Sequence, residues 1–223
     1  IAIKDLNPVA GVRTTYGSRV YEQHVSPRSD VLVDQLEASG AIVIAKSNTP
    51  EFGAGASTFN EVHGRTCNPW NTAKSVAGSS GGSAAALASG QVWLAHGSDL
   101  GGSLRTPASF NGVVGLRPGP GRVARGLFRL PYDTAASDLL FVEGPMARTA
   151  RDTALMLDAM LGAHREDPLS QPRPPRSVLA SMDDMPLPRR IAFSPDLGIV
   201  PVDPEVVSVC AAAARRFEAL GVI

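Results

Sequence analysis

Residues 30–46, DVLVDQLEASGAIVIAK, hand a helix over to a strand, and no other stretch constrains the fold as strongly. Val31, Leu32, Val33 and Leu36 make a helical stripe, Ser29 or Asp30 can cap its start, and Gly40 suits its end. AIVIAK then reads as a buried strand of β-branched residues that ends on Lys46. A helix that feeds straight into a buried strand predicts a mainly parallel sheet covered by helices. The same alternation runs along the chain. IAIKDL reads as a strand that breaks at Asn7-Pro8 and Gly11. Residues 83–89 read as a helix stopped by Gly90, QVWLAHGSD as the next strand, and NGVVGLRP as another. Thr149 and Asp152 suit a capping box for an amphipathic helix over 150–161. RIAFSPDLG resumes a strand, and Asp203 caps a helix over 204–220 with Gly221 behind it. The expected fold class is therefore α/β, a three-layer α/β/α arrangement with a mixed, mainly parallel sheet. Residues 1–223 read as one domain, with a surface excursion or linker at the Pro/Ser-rich 168–188. Both ends, IAIKDL without a methionine and RRFEALGVI, read as cut from something larger.

Composition removes several classes of function. Lysine plus arginine equals aspartate plus glutamate, 21 each, so charge gives no reason to expect nucleic acid or an anionic membrane as partner. No apolar run approaches the ~18–20 residues that span a bilayer. Cys67 and Cys210 stand alone with no CxxC spacing, which points to a reducing, cytoplasmic compartment; Cys67 reads as a packing residue. His24, His63, His96 and His164 show no HExxH or HxH pattern, and no metal is expected.

Chemistry concentrates in SVAGSSGGSAAALASG, residues 75–90. A Gly/Ser run by itself is commonly a flexible linker. Here it opens at once into an alanine-rich helix, whose unpaired amides attract anions or a developing oxyanion. A phosphate cradle would need GxxxxGK[ST] or GxGxxG, and neither is present. Gly78 to Gly82 match GxSxG with Ser80 as nucleophile, yet NTAKSVA is a poor strand for such an elbow. A second Gly/Ser turn, GSDLGGSLRTP at 97–107, also joins a strand to a helix start and presents Ser103. Lys46 ends a strand in AKSNTPEFG. A lysine held neutral can serve as the base for a serine, which makes a constellation of lysine and two serines without histidine.

These stretches together resemble the amidase signature family, serine hydrolases with a Ser–cis-Ser–Lys triad. IKDLNPVAGVRTTYGS, GAIVIAKSNTPEF, NPWN, AGSSGGSAAALASG, GSDLGGSLRTPASFNGVVGLRP and EGPMARTARD match in order, closely over the first two thirds of the chain. Ser103 follows Ser79 by 24 residues, as in the family pattern. The resemblance implies Ser103 as nucleophile, Ser79 as bridging serine behind a cis Gly78–Ser79 peptide, and Lys46 as general base. It implies an oxyanion hole from the amides of Leu100, Gly101 and Gly102, with that of Ser103. Ser80 would brace the loop, and Asp99 and Arg105 would pair to hold the Ser103 turn. The implied reaction is hydrolysis of a small-molecule amide to an acid plus ammonia or amine, with no metal or organic cofactor. Nucleic acid and membrane are not expected as partners; a homodimer fits the picture. Asn111 in FNG and LRPGPGRVARG depart from the commoner FCG and LKPT forms and lean toward a stand-alone amidase. The rivals are an amidotransferase subunit, which needs a second protein, and an inactive fragment that only binds a partner.

Overall fold

The computed structural model describes residues 1–126 and 139–223. They divide into two compact units, Ile1–Met182 and Asp183–Ile223. The first unit is built on a five-stranded sheet. Its strands are β1 (Ala2–Lys4), β2 (Ala45–Ser47), β5 (Leu94–Asp99), β6 (Val114–Gly115) and β7 (Val142–Ala147), in the spatial order β2-β1-β5-β7-β6. A separate hairpin pairs β3 (Phe59–Asn60) with β4 (Gly64–Arg65). In the sheet β1 is parallel to β2 and β5, whereas β7 is antiparallel to both β5 and β6. Four strands therefore point one way and β7 the other. The sheet is mixed, with its parallel half where the helix-to-strand handovers put it.

Helices cover both faces. On one side α1 (Val31–Ala38) and α4 (Ala150–Met160) bury Leu32, Leu36, Met156 and Met160 against Ile3. On the other α2 (Gly81–Ala88) and α3 (Arg105–Asn111) bury Leu87, Leu104 and Ala108 against Ala2, Ala95 and Met146. Each large side chain removed from water in this way contributes about 1.5–3 kcal/mol. Adjacent strand residues point to opposite faces. Ile3 thus meets α1 and α4, while Ala2 and Lys4 turn toward α2. This parity decides which lysine reaches the serines.

Local signals set the helix starts. Asp30 accepts from the Leu32 amide at 2.9 Å, and Thr149 accepts from the Asp152 amide at 3.1 Å. Helix α2 starts on Gly81-Gly82 because it packs against main chain. A Cβ on Gly82 would run into the backbone N and O of Asn48, whose carbonyl accepts from the Gly82 amide at 3.2 Å.

Three expectations change. AIVIAK forms a strand only over Ala45–Ser47, and Ile42 and Ile44 are 75% and 64% exposed. Ahead of it Ile1 N donates to Ile42 O and Ile44 N to Ile1 O, while Ala41 and Val43 pack against the Ile3–Leu36 cluster. RIAFSPDLG forms no strand among the described residues, since a ladder needs a continuous partner. Ile191 N donates to Ile223 O and Ile223 N to Arg189 O, and the pairing stops there. Cys67 is exposed, as is Cys210, so Cys67 does not pack in a core. β7 also goes unread in the sequence, because its Gly144-Pro145 pair looks like a turn.

The boundary between the two units falls within 168–188. The first part of that stretch is held down. A single helical turn, α5 (Val178–Ser181), docks on α4 through Asp158, which accepts from Ser177 Oγ at 2.6 Å and from the amides of Val178 and Leu179 at 2.7 and 3.0 Å. In the second unit α6 (Pro204–Arg215) starts at Asp203, which accepts from the Glu205 amide, and a 3₁₀ turn follows over Glu218–Leu220. No helix among the described residues is long and apolar enough to cross a membrane. Gly82→Ala is expected to destabilise the protein by about 1–3 kcal/mol, because backbone has to move to admit the methyl group. Urea denaturation of the two proteins measures this, and an unchanged midpoint would contradict the packing of α2 on Asn48.

Candidate active site

The lysine that meets the serines is Lys4, at the end of β1. It is fully buried. Its Nζ lies 2.6 Å from Ser79 Oγ, 2.9 Å from Ser98 Oγ and 3.1 Å from Ser80 Oγ. Three hydroxyls match the three donors of an ammonium. Gly78–Ser79 is a cis peptide, and Ser79 is buried on the loop before α2. Ser80 caps α2 without a side-chain cap bond, because its hydroxyl is spent elsewhere. It accepts from Lys4 and from the Ser98 amide at 3.2 Å, which ties the loop to the end of β5.

Lys46 is not in this cluster, which corrects the expectation that it would be the base. In the parallel register Ile3 pairs with Lys46 and Lys4 pairs with Ser47. Paired residues share a face, so Lys46 leaves the sheet on the side of Ile3 and Ser47 on the side of α2. Ser47 Oγ accordingly lies 2.7 Å from Ser83 Oγ in α2. Lys46 Nζ turns to Asp5 Oδ1 at 3.1 Å and donates to Asn7 O and Thr14 Oγ1, each at 2.8 Å. Burial pushes its ammonium below the ordinary value, against the opposing pull of Asp5. Lys46 lines a separate cleft of about 450 Å³ with Asp5, Arg13, Thr15 and His63. No local signal in the sequence singles out Lys4, since IAIK and AIVIAK each place a lysine after an apolar run.

The turn after β5 presents Ser103. The Ser80 amide donates to Ser103 O at 3.2 Å and joins the two serine loops. The Ser103 hydroxyl makes no hydrogen bond among the described residues, so the Ser79–Ser103 contact of a relay is open here. Catalytic hydrogen bonds often tighten only on substrate binding. Asp99 shapes the turn from within. Its carboxylate accepts from the Gly102 amide at 2.8 Å and the Leu104 amide at 3.2 Å, and from Arg105 Nε and Nη2 at 3.0 and 3.1 Å. Arg117 Nε stands 3.5 Å away on the same carboxylate. The Gly102 amide is therefore committed to Asp99 and unavailable to an oxyanion, which corrects its expected role. The amides of Leu100, Gly101 and Ser103 donate to nothing among the described residues. Gly102 has φ of +119°, a conformation that favours glycine.

Sequence reasoning missed a further pair. His96 in β5 and Glu143 in β7 are both fully buried, with His96 Nε2 2.6 Å from Glu143 Oε2. No catalytic pattern in the sequence singles out either residue; only the sheet brings them together.

A family model described as Amidase matches residues 1–223. An acylamidase from Rhodococcus erythropolis is 42% identical over 220 residues, covering 98% of this chain and 45% of that protein. A glutamyl-tRNA(Gln) amidotransferase subunit from Thermosynechococcus vestitus is 42% identical over 223 residues, covering 99% of this chain and 45% of that one. Among solved structures, 6-aminohexanoate cyclic dimer hydrolase complexed with substrate aligns with a TM-score of 0.89 at 33% identity, over 99% of this chain and 46% of that one. A bacterial aryl acylamidase of the amidase signature family aligns with a TM-score of 0.88 at 30% identity, over 99% and 45% of the two chains. The chain thus spans a little under half the length of these relatives.

Burial works to raise the pKa of Asp99, but the hydrogen bonds from Arg105 and from the Gly102 and Leu104 amides outweigh it, and the net shift is downward. A carboxylate with a lowered folded-state pKa adds stability above its ordinary value of 3.8, and that stability is lost as pH falls through the folded value. Stability of the protein is therefore expected to fall steeply below about pH 4, with a shallower slope in Asp99→Asn. Denaturation midpoints across pH 2–6 check this, and equal slopes in the two proteins would contradict it.

Proposed function

Because the chain belongs to the amidase family, we propose that it carries serine–lysine machinery for hydrolysing a carboxylic amide to its acid plus ammonia or an amine. The observation that supports this most directly is the buried 2.6 Å contact of Lys4 Nζ with Ser79 Oγ, on a loop bonded to the Ser103 turn. A lysine acts as base in its neutral form. The three hydroxyls around Lys4 satisfy either state, since they accept from the ammonium and one can donate back to the amine.

Lys4 Nζ takes the proton of Ser79 as Ser79 takes that of Ser103, and Ser103 Oγ bonds to the amide carbon. The carbonyl oxygen gathers negative charge within reach of the amides of Leu100, Gly101 and Ser103. The proton returns from Lys4 through Ser79 to the nitrogen, the C–N bond breaks, and ammonia or amine leaves an ester on Ser103. Water adds to that ester with the same groups as base and acid, which releases the acid and restores Ser103. Every proton is handled by Lys4 and the serines. Asp99 and Arg105 hold the turn, and Ser80 holds the loop. The substrate class is a small-molecule amide, and the free Cys67 and Cys210 fit a reducing, cytoplasmic setting.

A fluorophosphonate should label Ser103, as located by peptide mapping with mass spectrometry. Lys4→Ala is expected to slow labelling by about a hundredfold or more. Lys46→Ala should slow labelling far less, because Lys46 touches the turn after Lys4 through Asn7 O and meets none of the serines. An adduct on Ser80, or equal losses in the two lysine variants, would overturn the assignment.

A further inference from the structure

Behind Lys4 the structure holds a second polar device that the relay does not use. Glu143 and His96 lie on neighbouring strands at the core of the sheet, each fully buried. A buried polar pair is a poor source of net stability, because apolar residues of similar volume often do as well or better. What it does supply is geometry. The Lys4 amide donates to His96 Nδ1 at 3.3 Å. Because Nδ1 accepts, the proton of the neutral ring sits on Nε2 and goes to Glu143 Oε2 at 2.6 Å. The other carboxylate oxygen, Oε1, accepts from Asn7 Nδ2 at 3.3 Å. Asn7 N in turn donates to Lys4 O at 3.0 Å, closing a tight turn over Lys4–Asn7. Glu143 therefore grips both ends of the turn that follows Lys4, one directly and one through the imidazole.

We propose that Glu143 and His96 are positioning residues for Lys4, fixing the main chain so that Nζ is aimed at Ser79. The inference rests on the reading of Lys4 as the base. Its chemistry is specific. Asn7 Nδ2 and His96 Nε2–H both donate to Glu143, one to each carboxylate oxygen. A methionine in its place fills a similar volume and accepts from neither. It releases the Asn7 end of the turn directly and the Lys4 end through the freed imidazole.

The test is fluorophosphonate inactivation kinetics on the protein, with circular dichroism on each sample to count folded molecules. His96→Leu removes the acceptor for the Lys4 amide. His96→Asn keeps an oxygen near the position of Nδ1. Glu143→Met keeps most of the volume and loses both acceptors. The maximal inactivation rate per folded molecule is expected to fall about tenfold or more in His96→Leu and Glu143→Met, with the half-saturating probe concentration unchanged, and to recover to within about threefold of the parent in His96→Asn. Exchange of the Lys4 amide hydrogen, followed by NMR, should accelerate in His96→Leu and not in His96→Asn. Parent-like rates in His96→Leu and Glu143→Met would overturn the proposal, as would equal losses in His96→Leu and His96→Asn. If His96→Leu does not fold, Glu143→Met and His96→Asn decide by the same rates. If the unmodified protein takes no label on Ser103, the amidase reading fails. The amide exchange then tests the positioning by itself, and equal exchange in all variants would overturn it.

Discussion

A lysine side chain sealed from solvent among hydroxyls is the constraint on which the rest of this molecule depends. Lys4 Nζ is held by Ser79, Ser80 and Ser98, which come from the loop before α2 and from the end of β5. An amine in that position is tolerable only if all its hydrogen bonds are met. That requirement brings three parts of the chain together: the end of β1, the Gly/Ser loop and the end of β5. The sheet meets it with parallel β1 and β5 as neighbours, so that their C-terminal ends open at the same place. Sites in parallel α/β sheets commonly lie at such carboxyl ends.

The glycines and serines of 78–83 then have separate tasks. Gly82 lets α2 approach the main chain of Asn48, and Ser83 ties α2 to Ser47 and to the His96 carbonyl at 2.7 Å each. Ser80 bonds to β5, and Ser79 is left to face Lys4. What reads in one dimension as a low-complexity run is a rigid junction between a helix and two strands. The Asp99 turn works in the same way. One buried carboxylate gathers two amides and two guanidinium groups, and leaves the amides of Leu100, Gly101 and Ser103 without a bond among the described residues.

Much of the fold was legible in the sequence. Caps at Asp30, Thr149 and Asp203 and stops at Gly40 and Gly90 are local hydrogen-bonding and backbone facts, and the helices follow them closely, except that the helix from Asp203 ends at Arg215 and Gly221 closes a separate 3₁₀ turn. The strands were less legible. Of the apolar residues 41–44, Ile42 and Ile44 are exposed and none joins the sheet, while the Gly-Pro-bearing 142–147 are buried in it, because strand formation depends on cross-strand pairing as well as on residue type.

By itself the sequence determined that Ser79 and Ser103 lie on glycine-rich turns at helix starts, because spacing and composition along a short stretch suffice for that. Which of two lysines meets Ser79 was decided only by tertiary structure. Lys4 ends β1 and Lys46 lies within β2 of the same sheet, and nothing local distinguishes them as partners for a serine. The register of β1 against β2 pairs Lys46 with Ile3 and places them on the face away from α2, while Lys4 points toward it. A one-residue shift of β2 would bring Lys46 round to the face that Lys4 occupies, because side chains alternate with a period of two along a strand. The fate of the Gly102 amide was settled in the same way, by a carboxylate three residues earlier that only the folded turn brings within 2.8 Å.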